Sequence, residues 1–157
     1  MPDMTTARAE FPRHRPRRLR STPALRDLVA ETDVAVTDLI APLFVREGIA
    51  DPIEIRSLPD VHQHTLDSLR REVVGLADLG VRAVMLFGVP AEKDATGSGA
   101  SDPDGIVQVA LRDLRAETGD DIVLIADLCV DEYTSHGHCG IVRADGTVDN
   151  DATLELY

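Results

Sequence analysis

At 157 residues the chain has the length of a single domain and can bury a core. Its hydrophobic content of 43% and charged content of 28% are typical of globular proteins, while an aromatic content of 3% predicts a largely aliphatic core. The net charge of −12 argues against broad nucleic-acid binding, which depends on cationic side chains that neutralise phosphates. The apolar runs are far shorter than the roughly 20 residues of a membrane helix, so no membrane partner is expected.

The cysteine usage and the N-terminal sequence indicate the compartment. Two cysteines do not make a disulfide framework in a chain of this size. No apolar segment follows the N-terminal arginines, as a secretory signal would require. We therefore expect a reducing, cytoplasmic location.

The beginning of the chain is basic, whereas the rest is acidic. Residues 1–20 are rich in Arg and Pro and lack periodicity, which predicts an extended arm. Thr22 and Pro23 then provide an N-cap and a first-turn proline for a short helix that ends near Glu31. Residues 1–35 are thus predicted to form a basic arm that docks on an acidic partner subunit rather than on nucleic acid. The arginines that make the first twenty residues basic are Arg8, Arg13, Arg15, Arg17, Arg18 and Arg20.

Strand and helix patterns alternate over residues 36–157. Apolar runs of strand length occur three times, and between successive runs apolar residues recur at helical spacing. The predicted strands cover residues 38–45, 82–87 and 122–127, and the predicted helices run from Thr65 to Gly80 and from Ile106 to Gly119. The remaining predictions are a loop over residues 46–63, a small hairpin over residues 141–148 and a helix cap at residues 149–151.

This order of elements predicts an α/β fold. Strands about forty residues apart, with helices between them, are typical of a parallel sheet with right-handed crossovers. Residues 36–157 would supply about the first three β/α units of an incomplete (β/α)₈ TIM barrel, preceded by the extended arm. An open doubly wound sheet is the alternative.

Several potential metal ligands follow the third predicted strand in residues 127–140, which we call the metal loop. Cys129, Asp131 and Cys139 offer two soft thiolates and a carboxylate, a set suited to zinc, and three protein ligands leave a fourth position for water or substrate. His136 and His138 could also ligate, or could hold the loop by hydrogen bonds. The alternative is a buried cysteine among ordinary loop side chains, but the clustering favours a metal site.

Three further charged groups are candidates for catalysis. Asp127 ends the third strand, where carboxylates of α/β barrels usually face the active site, although it could also cap or anchor the loop. Glu132 is predicted to be an ordinary solvated charge. Lys93 is the only lysine and lies between Glu92 and Asp94 in the polar loop 88–104, unlike the buried lysines that form Schiff bases.

The segments 127–129 and 133–140 resemble the metal loop of the porphobilinogen synthase family, also called 5-aminolevulinate dehydratase. The resemblance extends from about residue 16 to the end of the chain, in the order that the family has. Its other motifs are Arg17–Arg20, Asp38–Val45, Leu86–Pro90, Lys93–Asp94 with Gly97–Ser98, and Asp104–Gln108.

The resemblance implies a TIM barrel whose N-terminal arm embraces a neighbouring subunit, typically within an octamer. It implies condensation of two 5-aminolevulinate molecules, with loss of water, to porphobilinogen in heme biosynthesis. Two barrel lysines bind the substrates as Schiff bases, and a metal helps to polarise a carbonyl. Asp127 then matches the active-site aspartate, and Phe87 lies at a substrate-site wall. The metal ligands are Cys129, Asp131 and Cys139.

Two departures from the family pattern matter. Zinc-dependent members have three cysteines in the metal loop, whereas Asp131 occupies the middle position here, so zinc is expected but magnesium or another divalent metal is an alternative. The family's Schiff-base lysines lie in the second half of the barrel, and this chain has only Lys93. We therefore expect an N-terminal fragment of the enzyme, inactive alone.

Two other hypotheses remain. An inactive truncated form could act as a metal-binding or assembly partner of the full-length enzyme. A small zinc hydrolase on a doubly wound sheet would instead use Glu132 or Asp127 as general base.

Overall fold

The computed structural model describes residues 17–157, so most of the predicted extended arm lies outside the described part. The chain divides into two compact units after Val34. The first contains a 3₁₀ turn, Arg17–Arg20, and helix α1, Pro23–Leu28. Thr22 caps α1 as the sequence predicts, because its Oγ1 accepts a hydrogen bond from the backbone N of Leu25 at 3.2 Å. The helix is shorter than predicted. None of its residues is buried, so no core contact stabilises a further turn.

The second unit contains a five-stranded sheet and three helices. Its strands are β1, Ile40–Arg46; β2, Ile53–Glu54; β3, His62–His64; β4, Ala83–Val89; and β5, Val123–Ala126. Its helices are α2, Leu66–Asp78; α3, Ile106–Thr118; and α4, Asn150–Leu154. Short 3₁₀ turns occupy Val36–Asp38 and Ser98–Ser101. No helix within residues 17–157 is long and apolar enough to cross a membrane.

The strand order is β2-β3-β1-β4-β5. Strands β1, β4 and β5 are parallel neighbours, as the βαβ pattern predicts. The prediction of a plain loop over residues 46–63 was wrong, because β3 adds a parallel strand beside β1 and β2 pairs antiparallel with β3. Strands of two and three residues are too short for their side-chain alternation to be recognised in a sequence.

The two faces of the sheet have different surroundings. Along β4, the fully buried Val84 and Leu86 alternate with the half-buried Met85 and Phe87. The buried residues belong to one core with Leu69 and Val73 of α2 and Ala110 and Leu114 of α3. We call this the covered face. The other, the open face, carries Phe87 against Phe44 of β1, with ring centroids 5.2 Å apart.

Local signals set the ends of the long helices. Thr65 caps α2, because its Oγ1 accepts from the backbone N of Ser68 at 3.0 Å. Gly80 follows α2 with a φ of 94°, a backbone conformation that favours glycine. The hairpin is present as an antiparallel bridge between Val142 and Val148, and Asp149 caps α4 as expected. The sheet with parallel β1, β4 and β5, and with helices between these strands, confirms the predicted α/β class.

Candidate metal centre

The metal loop begins where β5 leaves the sheet. The last register pair of β4 and β5 is Leu86 with Ala126, and the backbone N of Asp127 still donates to Leu86 O at 3.0 Å. Asp127 therefore extends the ladder by one residue and lies in register with Phe87, at the C-terminal edge of the parallel strands. The structure thus brings together the two residues expected to line an active site.

A tight turn reverses the chain within the metal loop. The backbone N–H groups of Tyr133 and Thr134 both donate to Val130 O, at 3.0 and 2.9 Å. Tyr133 is buried and passes over Gly88 of β4, where any Cβ would overlap its hydroxyl. The turn allows the chain to return to Cys129 ten residues later, at Cys139.

The three predicted ligands meet after this reversal. The sulfur atoms of Cys129 and Cys139 and a carboxylate oxygen of Asp131 all lie within 4.8 Å of one another. Ligand atoms of a tetrahedral zinc ion are about 3.8 Å apart for bond lengths near 2.3 Å. The donor set therefore fits a zinc-sized ion after small side-chain movements. Cys139 is exposed and the other two are half-buried, so one side of the centre is open to solvent.

The proton on the Cys129 thiol competes with a metal ion for the sulfur. Burial raises the pKa of the Cys129 thiol to about 12, and the hydrogen bond with Cys139 contributes. The pKa of Asp131 is lowered, chiefly because Cys129 donates a hydrogen bond to its carboxylate. The thiol therefore stays protonated in the metal-free chain, and a metal ion must displace this proton to bind.

Glu132 differs from its prediction as a solvated charge. It is half-buried, and its carboxylate oxygen lies within 4.8 Å of oxygens of Asp127 and Asp131. Burial, followed by hydrogen bonding to and repulsion from Asp131, raises the pKa of Glu132 to about 7. The sequence offered no signal for this burial, which arises from the turn at Val130.

The histidines do not join the ligand cluster. His136 places Nε2 3.1 Å from Ala95 O, and its Nδ1 accepts a hydrogen bond from the backbone N of His138 at 3.1 Å. Both ring nitrogens of His136 are thus engaged within the protein. Of the two roles considered for the histidines, the described contacts favour loop support.

Residues 88–104, which we call the Lys93 loop, pack beside the metal loop. Asp94 and Thr134 form a parallel β-bridge, in which the backbone N of Ser135 donates to Asp94 O at 2.7 Å. Lys93 itself is exposed and lines a cavity of about 420 Å³ with Asp94 and Tyr133, outside the ligand cluster. The sequence did not predict this contact between the loops, which joins residues forty positions apart.

Known proteins resemble this chain over nearly its whole length. A family model described as delta-aminolevulinic acid dehydratase matches residues 13–157. The delta-aminolevulinic acid dehydratase of Streptomyces coelicolor is 53% identical over 154 residues, which are 97% of this chain and 47% of that protein. The protein of the same name from Mycobacterium leprae is 57% identical over 149 residues, covering 94% of this chain and 45% of that protein.

A solved structure of a protein with this name also resembles the chain. The crystal structure of delta-aminolevulinic acid dehydratase (porphobilinogen synthase) from Toxoplasma gondii ME49, in complex with the reaction product porphobilinogen, matches with a TM-score of 0.82 and 34% identity. The match covers 90% of this chain and 41% of that chain. This chain spans slightly less than half the length of the relatives it matches. Because the family model covers residues 13–157, the chain belongs to the delta-aminolevulinic acid dehydratase family.

Proposed function

We propose that the chain is the N-terminal part of a porphobilinogen synthase, which condenses two 5-aminolevulinate molecules to porphobilinogen with loss of water. The observation that carries this proposal is the meeting of Cys129, Asp131 and Cys139 within 4.8 Å, in a chain that the family model matches over residues 13–157. The sheet supports the corresponding fold, an incomplete (β/α)₈ barrel. Its open face would be covered by the rest of the barrel.

Asp127 and Phe87 are the proposed substrate-side residues. They follow the last register pair of β4 and β5, at the C-terminal edge of these strands. Barrel enzymes build their active sites at this edge. Phe87, stacked on Phe44, offers an apolar wall, and the Asp127 carboxylate can hold or accept a proton from a substrate amine. Glu132 adds a second carboxyl group that can exchange a proton near neutral pH, because its pKa is raised to about 7.

Zinc is the proposed metal, held by Cys129, Asp131 and Cys139. Two thiolates favour zinc over magnesium, whereas the single carboxylate weakens this preference relative to three thiolates. When bound, the metal would supply Lewis-acid polarisation of a substrate carbonyl. We expect Asp131→Cys to tighten zinc binding at least about tenfold and to weaken the response to magnesium. Competition with a chromophoric chelator measures the zinc affinity, and equal affinities of the variant and the parent chain would contradict this assignment.

The chain alone is expected to be inactive. Its only lysine, Lys93, is exposed and lies outside the ligand cluster, so it lacks the desolvated environment that an amine nucleophile needs. The fragment interpretation is favoured over a separate assembly partner by continuous similarity to just under half of each relative. The basic arm is proposed to contact a neighbouring subunit in a homo-octamer. The expected cytoplasmic location stays a prediction.

Reconstitution tests the proposed activity. The purified chain is combined with a polypeptide covering the part of the Streptomyces coelicolor relative that this chain does not match. We expect porphobilinogen, detected by a colorimetric pyrrole assay, only from the mixture, and its loss with Asp127→Asn. Activity of the purified 157-residue chain alone would contradict the proposal that the Schiff-base lysines lie outside this chain.

A further inference from the structure

The residue just before Cys139 is held by both of its backbone polar groups. The backbone N of His138 donates to Nδ1 of His136 at 3.1 Å, and His138 O accepts from Thr134 Oγ1 at 3.0 Å. Thr134 is 1% exposed, so its hydroxyl is shielded from competing water. Because backbone bonds on both sides of residue 138 are fixed, the Cα of Cys139 has little freedom to move away from Cys129.

The His136 ring connects the backbone of His138 to the Lys93 loop by hydrogen bonds. Its Nδ1 accepts a hydrogen bond, so in this neutral tautomer its Nε2 carries the proton and donates to Ala95 O at 3.1 Å. The acceptor belongs to a part of the Lys93 loop that is held by several hydrogen bonds. Next to it, Asp94 bridges to Thr134, and its carboxylate accepts hydrogen bonds from Thr96 and Ser98.

We propose that His136 is a positioning residue of the metal centre, which fixes Cys139 through the backbone of His138 without binding the metal. This inference rests on the proposed metal site. It assigns different roles to His136 and His138, for which the sequence left the same two alternatives open. The imidazole of His138 makes no hydrogen bond within residues 17–157, whereas that of His136 makes two. Only His136 should therefore affect the geometry of the ligands.

Metal affinity in single-histidine variants tests the proposal. The 157-residue chain is compared with His136→Leu, which removes both hydrogen bonds, and with His136→Gln, which keeps a donor and an acceptor. His138→Leu is the matched control. We expect His136→Leu to weaken zinc binding 10- to 100-fold, the usual effect of removing a group that orients a ligand. His136→Gln should restore the affinity to within about threefold, and His138→Leu should stay within the same range.

The absorption spectrum of bound Co²⁺ reports geometry independently of affinity. We expect His136→Leu to change the visible ligand-field bands and the sulfur-to-cobalt charge-transfer band, while His138→Leu and His136→Gln leave them close to those of the parent. An unchanged zinc affinity and cobalt spectrum in His136→Leu would overturn the positioning role. A larger loss in His138→Leu than in His136→Leu would also overturn it, because His138 would then be the ligand.

Hydrogen exchange of the parent chain needs no variant and decides the case if His136→Leu fails to fold. The amide of His138 should exchange slowly because it is bonded to His136, and exchange at the rate of an open loop would contradict the proposal. Failure of the parent chain to bind zinc or cobalt would instead contradict the proposed metal site. Metal binding by the parent chain that is unchanged in His136→Leu would contradict only the positioning role.

Discussion

The two faces of the sheet differ in what covers them. On the covered face, Val84 and Leu86 are fully buried against helices α2 and α3. On the open face, Ile40 of β1 is 51% exposed and Val123 of β5 is 57% exposed. Apolar side chains on both faces are typical of a parallel sheet that is buried on both sides in its complete protein. The covered face therefore supplies most of the apolar burial within this chain. The open face ends at the strand edge that bears the candidate active site.

Truncation of a core leucine should give the largest effect. Leu86 is 0% exposed in the core, and Leu86→Ala should lower the free energy of unfolding by about 2–5 kcal/mol through lost burial and a residual cavity. Met85→Ala on the open face is the matched control and should cost less than half as much, because Met85 is only partly buried. Urea unfolding measures both. Equal losses would show that the open face is packed as tightly as the covered one.

A glycine on the covered face allows the metal loop to approach. Gly88 lies in register with the buried Val45, and a Cβ there would overlap the Tyr133 hydroxyl and lie 2.5 Å from Val107 Cγ2. Gly88→Ala should lower the free energy of unfolding by roughly 1–3 kcal/mol, as overpacking does. It should also weaken zinc binding, because Tyr133 forms part of the metal-loop turn. Unchanged unfolding and zinc affinity would mean that Tyr133 can move away from β4 without cost.

The helix layer offers the opposite result at another glycine. Gly75 lies inside α2, and a Cβ at this position would meet no atom within 4 Å. Gly75→Ala should raise the free energy of unfolding by about 0.5–1 kcal/mol, because alanine loses less backbone entropy in a helix. Thermal unfolding followed by circular dichroism detects the change. A decrease in stability would indicate that the outer side of α2 is packed in solution against another surface.

The sequence predicted those parts of the fold whose signals are local. Helix α2 was found because its cap at Thr65, its periodic apolar residues and its stop at Gly80 lie within one short segment. The candidate metal ligands could be named because cysteine chemistry and family resemblance pointed to the same residues, and their binding of a metal stays a prediction. Strands β2 and β3 were missed, since their pairing with β1 is tertiary. The burial of Glu132 was missed for the same reason, since it depends on how the loop folds back.

The last prediction, which has the smallest expected effect, concerns a titratable group on the covered face. His64 of β3 lies in register with Val45, and its Nδ1 is 3.3 Å from Ser68 Oγ of α2. Burial lowers the pKa of His64 below its ordinary value of 6.5, Glu72 raises it in part, and His62 lowers it further. Below pH 6.5 the unfolded chain therefore binds a proton that the folded chain resists.

The free energy of unfolding should consequently fall as the pH is lowered through 6.5, and this contribution should level off below the pKa of the folded state. Carboxylates also titrate on acidification, so the informative quantity is the difference between the parent chain and His64→Gln. Urea unfolding between about pH 7.5 and pH 5.5 should show a steeper decline for the parent. Parallel declines would mean that His64 is as well hydrated in the folded chain as in the unfolded one, and that the covered face does not extend to β3.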